Sequence, residues 1–190
     1  MRRFIPLAAA ATCLFWAGCA TVQTEPAEFM LRLDDYKEAA LQTAGALLAH
    51  PAITEFPAAN EGRLPRLDIG EMRNATRDPA VLEQYAERAL EELLAGGQVT
   101  LVANDPKTRQ ITAVRKFMEN GDVSTDGFAD FYLGCVLSKD SARSRGMLSV
   151  THTFFMELND SHTRSQLWKK TYDTTRRGTD YRTRGGTSLF

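Results

Sequence analysis

A chain of 190 residues, 43% of them hydrophobic and 25% charged, is long enough for one compact domain built around a single core. Removing Arg2 and Arg3 takes the formal charge from −1 to −3. Residues 174–190 carry four arginines against Asp180, a net +3, which leaves about −6 on residues 19–173. An acidic body lacks the basic footprint that nucleic-acid binding needs.

Met1-Arg2-Arg3 is a short basic start, Phe4 to Trp16 is an apolar run, and Ala17-Gly18-Cys19 closes the segment with two small residues and a thiol. Residues 1–18 therefore read as a secretory signal, too short to span a bilayer comfortably. With Cys19 first after the cut, the segment resembles a bacterial lipoprotein signal, although Trp16 stands where such signals usually carry Leu. That resemblance implies lipid attachment at Cys19: a diacylglycerol on the thiol and a further acyl chain, such as palmitate, on the new amino group. The alternative is an ordinary secretory signal in which Cys19 follows Gly18 by chance. Two or more acyl chains anchor stably, at ~0.8 kcal/mol per buried methylene. Ala20 after the cysteine implies, by the same resemblance, the periplasmic face of the outer membrane. Cys13 leaves with the signal and Cys135 is then alone, so no disulfide framework forms and stability must come from packing.

Residues 19–33 read as a tether, with Phe29, Met30 and Leu31 as candidates for docking. The domain is placed at residues 34–173. Asp34 or Asp35 is a candidate cap for a helix over 36–49, whose apolar stripe is Tyr36, Ala40, Ala44, Leu47 and Leu48. Pro51 ends it, and residues 52–63 read as a loop. A strand follows Pro65, then a polar turn at Asn74 to Asp78. Asp78-Pro79 opens a helix to Ala95 with Leu82, Tyr85, Ala89, Leu93 and Leu94 on one face, and Gly96-Gly97 supplies the exit. A strand is predicted over 98–102. Asp105-Pro106 repeats the capping device, opening a helix to about Glu119.

The last third changes period. Residues 131–137 form a continuous apolar run, predicted as a strand buried on both faces. Over 147–158 the residues alternate, with Val150, His152, Phe154, Met156 and Leu158 pointing one way. Asn159-Asp160-Ser161 is turn chemistry, and residues 165–172 return as a hairpin partner, with Leu167 and Tyr172 apolar and Trp168 on the parity opposite to Leu167. The predicted fold is α/β: a mixed β-sheet of about five strands packed with about three helices, ending in a C-terminal antiparallel hairpin. Residues 174–190 read as an Arg- and Gly-rich flexible tail, solvated or touching lipid headgroups.

Candidate chemistry is sparse. His50, His152 and His162 are too scattered for a metal site, and His152 is predicted to lie opposite residues 167–169 rather than opposite His162. Neither a nucleophile elbow nor a phosphate-cradling glycine loop occurs. Cys135, on a strand without a basic neighbour, reads as a buried inert thiol. The carboxylate pairs Asp34/Asp35 and Glu91/Glu92 fit capping and solubility, and Asn74-Ala75-Thr76 fits a turn. Arg143 and Arg145 are predicted in a loop, either solvated or a contact patch. These residues point to no enzyme, no metal, no cofactor and no small-molecule substrate.

The order of motifs resembles the penicillin-binding-protein activator lipoproteins of the LpoB type. Asp35-Tyr36-Lys37-Glu38-Ala39-Ala40 leading to Leu47-Leu48 is similar to that family's opening helix. Leu67-Asp68-Ile69 and Met72-Arg73-Asn74-Ala75-Thr76 resemble its first strand and turn. Leu82 to Leu94 with Gly96-Gly97-Gln98-Val99-Thr100-Leu101-Val102 resembles its helix–Gly–strand unit. Ala129-Asp130-Phe131-Tyr132-Leu133-Gly134 and Gln166-Leu167-Trp168 match two later strands. Related folds occur in the TolB N-terminal domain and in curli- and flagellum-associated lipoproteins. The resemblance implies a non-catalytic, outer-membrane lipoprotein whose partner is a bifunctional class A penicillin-binding protein, regulating peptidoglycan synthesis at the cell wall. A structural lipoprotein of an envelope assembly, secretory or flagellar, is the alternative, likewise acting by protein–protein contact. An envelope hydrolase is disfavoured by the missing constellations. The fourteen residues between Cys19 and Asp34 span at most about 50 Å fully extended.

Overall fold

Asp35 fixes how the domain begins. The computed structural model describes residues 27–179 except 77 and 126. A 3-10 turn (Ala27–Phe29) leads into α1 (Leu33–Ala40), which starts earlier than the apolar stripe predicts. The cause is local: Asp35 lies in the first turn, and its carboxylate accepts the Arg32 N–H at 2.7 Å, satisfying a donor at the helix start. A π-helical turn (Leu41–Gly45) and α2 (Ala46–Leu48) continue the same rod. The predicted stripe from Tyr36 to Leu48 is buried. Thr43, within the π turn, also faces inward and bonds the Ala39 carbonyl at 2.7 Å and the Tyr85 hydroxyl at 2.8 Å.

Pro51 ends this rod as predicted, but the chain does not become a loop. His50 caps α3 (Pro51–Thr54), its Nδ1 accepting the Ala52 N–H at 3.3 Å, and α4 (Phe56–Ala59) follows. Single turns leave no periodicity to read, which is why the sequence predicts a loop there. β1 (Arg66–Asn74) begins after Pro65. The Asn74 Oδ1 accepts from the Thr76 N–H and hydroxyl at 2.9 and 2.7 Å, closing the predicted turn. The Asp78 carboxylate accepts the Ala80 N–H at 3.0 Å and opens α5 (Pro79–Ala95), and Gly97, at φ +61°, takes the left-handed exit.

After β2 (Thr100–Val102), the helix predicted from Asp105-Pro106 arrives late. Asp105 caps only a tight turn, accepting the Lys107 N–H at 3.0 Å, and a 3-10 turn (Thr108–Gln110) follows. α6 (Thr112–Glu119) starts where α5 supplies the cap: Glu83 accepts the N–H groups of Thr112 and Ala113 at 3.0 and 2.9 Å. Replacing Glu83 with Ala is expected to cost about 1 kcal/mol. The loss would be read as a lower urea midpoint at unchanged slope; an unmoved midpoint would show that the cap contributes nothing.

β3 (Val123–Ser124) precedes three long strands, β4 (Phe131–Ser144), β5 (Met147–Asp160) and β6 (Gln166–Thr179). The sheet order is β3-β2-β1-β4-β5-β6, parallel from β3 through β4 and antiparallel across β4, β5 and β6. This is the mixed α/β sheet the sequence predicts, with six strands in place of about five because β3 has only two residues.

Several expectations need correction. Residues 138–144 are strand, so Arg143 lies in β4, and Arg145-Gly146 form a two-residue turn with φ +49° and +76°. The β4 run is not buried on both faces: Phe131, Leu133, Cys135 and Leu137 are covered, while Tyr132 and Val136 are half-buried. The loop between β5 and β6 is centred near Thr163, not on Asn159-Asp160, so His152 pairs with Thr174 rather than with residues 167–169. Trp168 and Tyr172, four residues apart in β6, share the half-buried parity, and Leu167, at the bulge where Leu158 and Asn159 meet Trp168 and Gln166, is exposed. Residues 174–179, expected in the tail, belong to β6; residues 180–190 lie outside the described ones.

The core lies on one face of the sheet. Leu67 and Ile69 of β1, the four covered residues of β4, and Phe154, Met156 and Leu158 of β5 pack with Leu47 of α2 and Tyr85, Leu90 and Leu93 of α5. Each such side chain contributes about 1.5–3 kcal/mol on burial. Phe154 sits among rings, its centroid 6.2 Å from Tyr36, 5.1 Å from Tyr85 and 6.2 Å from Tyr172.

Candidate partner-facing surface

Cys19, the predicted lipid-attachment residue, lies outside the described residues, as does the signal. The other chemical candidates are not brought together. Cys135 is buried in β4, where burial and then the Glu157 charge push its thiol up to about 12, so the reactive thiolate is suppressed at neutral pH. His50 caps α3, His152 faces the core, and His162 lies in the β5–β6 loop. Among the described residues no three His, Cys, Asp or Glu side chains are grouped to hold a metal. No described helix is long and apolar enough to cross a membrane.

The carboxylates are tied into the fold. Burial would raise the Asp35 carboxyl, but Arg176, 2.7 Å away, and the Arg32 N–H outweigh it and hold it below the usual range. Asp34 is exposed, and Glu91 pairs with Arg88 at 2.5 Å. Asp68, buried in β1 and unmarked by the sequence, accepts the Asn104 backbone N–H at 3.0 Å and its side-chain N–H at 3.1 Å. Asn104 donates on to the Gly127 carbonyl at 3.1 Å, and Arg109 binds the carbonyls of Ala103, Asn104 and Thr125. This network fastens the loops beyond β2 and β3; it holds no catalytic pair.

Surfaces remain. Strand alternation puts Tyr132, Gly134 and Val136 of β4 beside Asn159, Glu157 and Phe155 of β5, with Thr153 beyond them, on the sheet face opposite the core. Thr171, Asp173 and Thr175 of β6 extend that face, and the Thr151 and Thr175 hydroxyls bond at 2.9 Å. A Cβ on Gly134 would come within 3.1 Å of the Glu157 side chain, which would have to shift by a few tenths of an ångström to admit it.

The two ends of the sheet differ. At one end the chain arrives over β6: a Cβ on Gly178 would lie 2.7 Å from the Glu28 carboxyl and 2.9 Å from the Phe29 ring. Phe29 is buried there, as the sequence allows, whereas Met30 is exposed. A cavity of about 540 Å³ lies beside it, lined by Met30, Leu33, Tyr36, Val81 and His152 among others.

At the other end Asp130, nearly covered, joins two strands. It takes the two-pronged Arg63 guanidinium at 2.7 and 2.9 Å and the Arg66 N–H at 2.8 Å. Burial would raise its carboxyl, but these donors hold it below the usual aspartate range. The Asp130 carbonyl in turn accepts the Ser161 N–H at 3.1 Å, so the segment before β4 is laced to the β5–β6 loop. Phe128, His162 and Arg164 stand on this lacing. Sequence reading missed them as a group, because only the β4–β5 pairing brings residues over thirty positions apart together.

Of solved structures, the LpoB C-terminal domain from Escherichia coli is similar at 15% identity, covering 74% of this chain and 98% of that one, with a TM-score of 0.46. The NMR structure of E. coli LpoB matches at 14% identity over 94% and 84% of the two chains, with a TM-score of 0.43. The LpoB C-terminal domain from Salmonella enterica matches at 14% identity over 74% and 98%, with a TM-score of 0.38. No curated protein matches the chain. The family model of the peptidoglycan-synthase activator LpoB matches residues 35–173, from the capping aspartate of α1 to the middle of β6. With most of the domain so matched, the chain belongs to the LpoB family of peptidoglycan-synthase activators.

Proposed function

We propose that this chain is a lipoprotein anchored through Cys19 to the periplasmic face of the outer membrane, and that it binds and activates a class A penicillin-binding protein. The match of the LpoB family model over residues 35–173 carries this reading. The buried thiol and the capped, ion-paired carboxylates agree with action by contact rather than by catalysis. Purified mature protein is expected to raise glycan polymerisation by a class A synthase of the same cell and to co-purify with it. Unchanged polymerisation rates at saturating protein, with no co-purification, would remove the reading. The anchor is tested separately: labelled palmitate should enter the wild-type chain and be lost in Cys19→Ser, and label persisting in that variant would place the lipid elsewhere.

A second reading is favoured by the start of the domain. Phe29 is already packed on the sheet, and the first described residue, Ala27, is only eight residue steps from Cys19. Fully extended, those steps reach about 28 Å. A tether that short suits a structural lipoprotein of an envelope assembly near the outer membrane. Ring-like oligomers of the purified protein, together with no effect on synthase rates, would favour that reading over activation.

A further inference from the structure

The Phe128, His162 and Arg164 group stands as far from the start of the domain as the sheet permits. Gly178, near the C-terminal end of β6, lies under Glu28 and Phe29, whereas the loop bearing His162 and Arg164 precedes the first residue of that strand. At ~3.3 Å per residue, the length of β6 separates the two ends by about 40 Å. Phe128 is 67% exposed, more than any other large apolar side chain among the described residues. Its ring centre lies 5.5 Å from that of His162, and the Arg164 guanidinium lies 5.1 Å from the centre of the Tyr132 ring.

The support beneath this knob is closed. Asp160 accepts the N–H groups of His162 and Thr163 at 2.9 and 2.7 Å and the Thr163 hydroxyl at 2.9 Å. The Arg164 N–H returns to the Asp160 carbonyl at 3.0 Å, and the Ser161 N–H to the Asp130 carbonyl. Asp130 and Asp160 are thus occupied by their own donors, leaving the Arg164 guanidinium on the Tyr132 ring and directed outward. Arg164 also holds φ +60°, a conformation glycine adopts more easily. An exposed aromatic ring beside an arginine on a hydrogen-bonded loop has the makeup of an interface anchor. Sites for small molecules are concave, and the 540 Å³ cavity lies with Met30 and His152, away from this loop.

We propose that this knob is the surface by which the domain docks on its synthase: Phe128 enters an apolar pocket of that protein, and Arg164 meets a carboxylate at the pocket's rim. The inference rests on the synthase-activator reading above. It also eases the problem of reach, since docking at the far end adds about 40 Å of domain to about 28 Å of tether.

The test uses the full mature chain in detergent and the purified class A synthase of the same cell. Phe128→Ala and Arg164→Gly are each expected to weaken binding at least tenfold, while Met147→Ala, exposed at the opposite end, binds like wild type. Arg164→Gly should fold at least as well as wild type, because glycine relieves the left-handed backbone, so a loss of binding there is not a loss of structure. Wild-type affinity in both variants would overturn the proposed surface and leave the activator reading standing. No binding by the wild-type chain would overturn the activator reading, and this surface with it. Two parallel measurements name the competing occupants: sedimentation with purified peptidoglycan, and self-association by analytical ultracentrifugation. If either depends on Phe128 and synthase binding does not, a glycan or a second copy of this chain takes the place assigned to the synthase.

Discussion

Replacing Phe154 with Ala is expected to cost about 4 kcal/mol, the largest single effect in this domain. Phe154 is almost fully buried at the centre of β5, with the rings of Tyr36, Tyr85 and Tyr172 around it. Those rings belong to α1, α5 and β6, so the neighbours cannot all collapse into the space left behind. The cost therefore combines lost burial with an unfilled void. Against a typical domain stability of ~5–15 kcal/mol, this is enough to leave some of the protein unfolded at 37 °C. Thermal melting should show a much lower midpoint, and Phe154→Leu should recover most of the loss. A wild-type midpoint in Phe154→Ala would mean that these elements are not held together as described.

Asp130→Ala is expected to cost about 2 kcal/mol at neutral pH, because it strands the Arg66 N–H and releases the Arg63 fork. The figure is modest for a two-pronged ion pair because half of the Arg63 side chain is in solvent, which screens the charge. The effect carries a pH signature. The donors hold the folded-state carboxyl below the usual aspartate range, so on acidification the unfolded chain takes up its proton first. The stabilisation is complete above the ordinary aspartate pKa and is lost as pH falls through the lower, folded-state value. The gap between wild type and Asp130→Ala, measured by urea unfolding across pH 2–7, should therefore be widest near neutrality and close at the acid end. A gap independent of pH would assign the loss to packing. If the domain docks through Phe128 as proposed, the same variant, by loosening the segment that holds it, should weaken synthase binding as well.

The elements legible in the sequence are those whose signals are local. Asp78-Pro79 and Gly96-Gly97 bound α5, the apolar spacing from Tyr36 to Leu48 marks the first rod, and the alternation from Val150 to Leu158 is the core face of β5. What was hidden depends on partners distant in the chain. β3 is two residues long and is a strand only because β2 lies beside it. Residues 138–144 are polar because they run past the end of the helices, and their strand geometry comes from the β5 ladder rather than from a buried face. The β5–β6 register was misplaced because Asn159-Asp160 looks like a tight turn, whereas the Asp160 carboxylate organises a longer loop by accepting several donors at once. The start of α6 was misplaced because its cap, Glu83, is on another helix. Of the residues proposed to act, Cys19 is suggested by the local sequence before it, and no short motif marks Phe128 or Arg164.

Among the described residues β6 closes the sheet with no strand on its outer side over fourteen residues, long enough to template the strand of a neighbouring molecule. Along it lie Lys169, Lys170 and Arg177 against the single acid Asp173, while Arg176 is paired with Asp35. Two such borders laid side by side would bring like charges together along their length, and that repulsion guards the protein against fibril-like stacking when many copies crowd together. Salt weakens the guard, since at ~0.15 M the screening length is only ~8 Å. The amount of this protein a cell can hold in soluble, unstacked form is thus linked to the ionic strength around it.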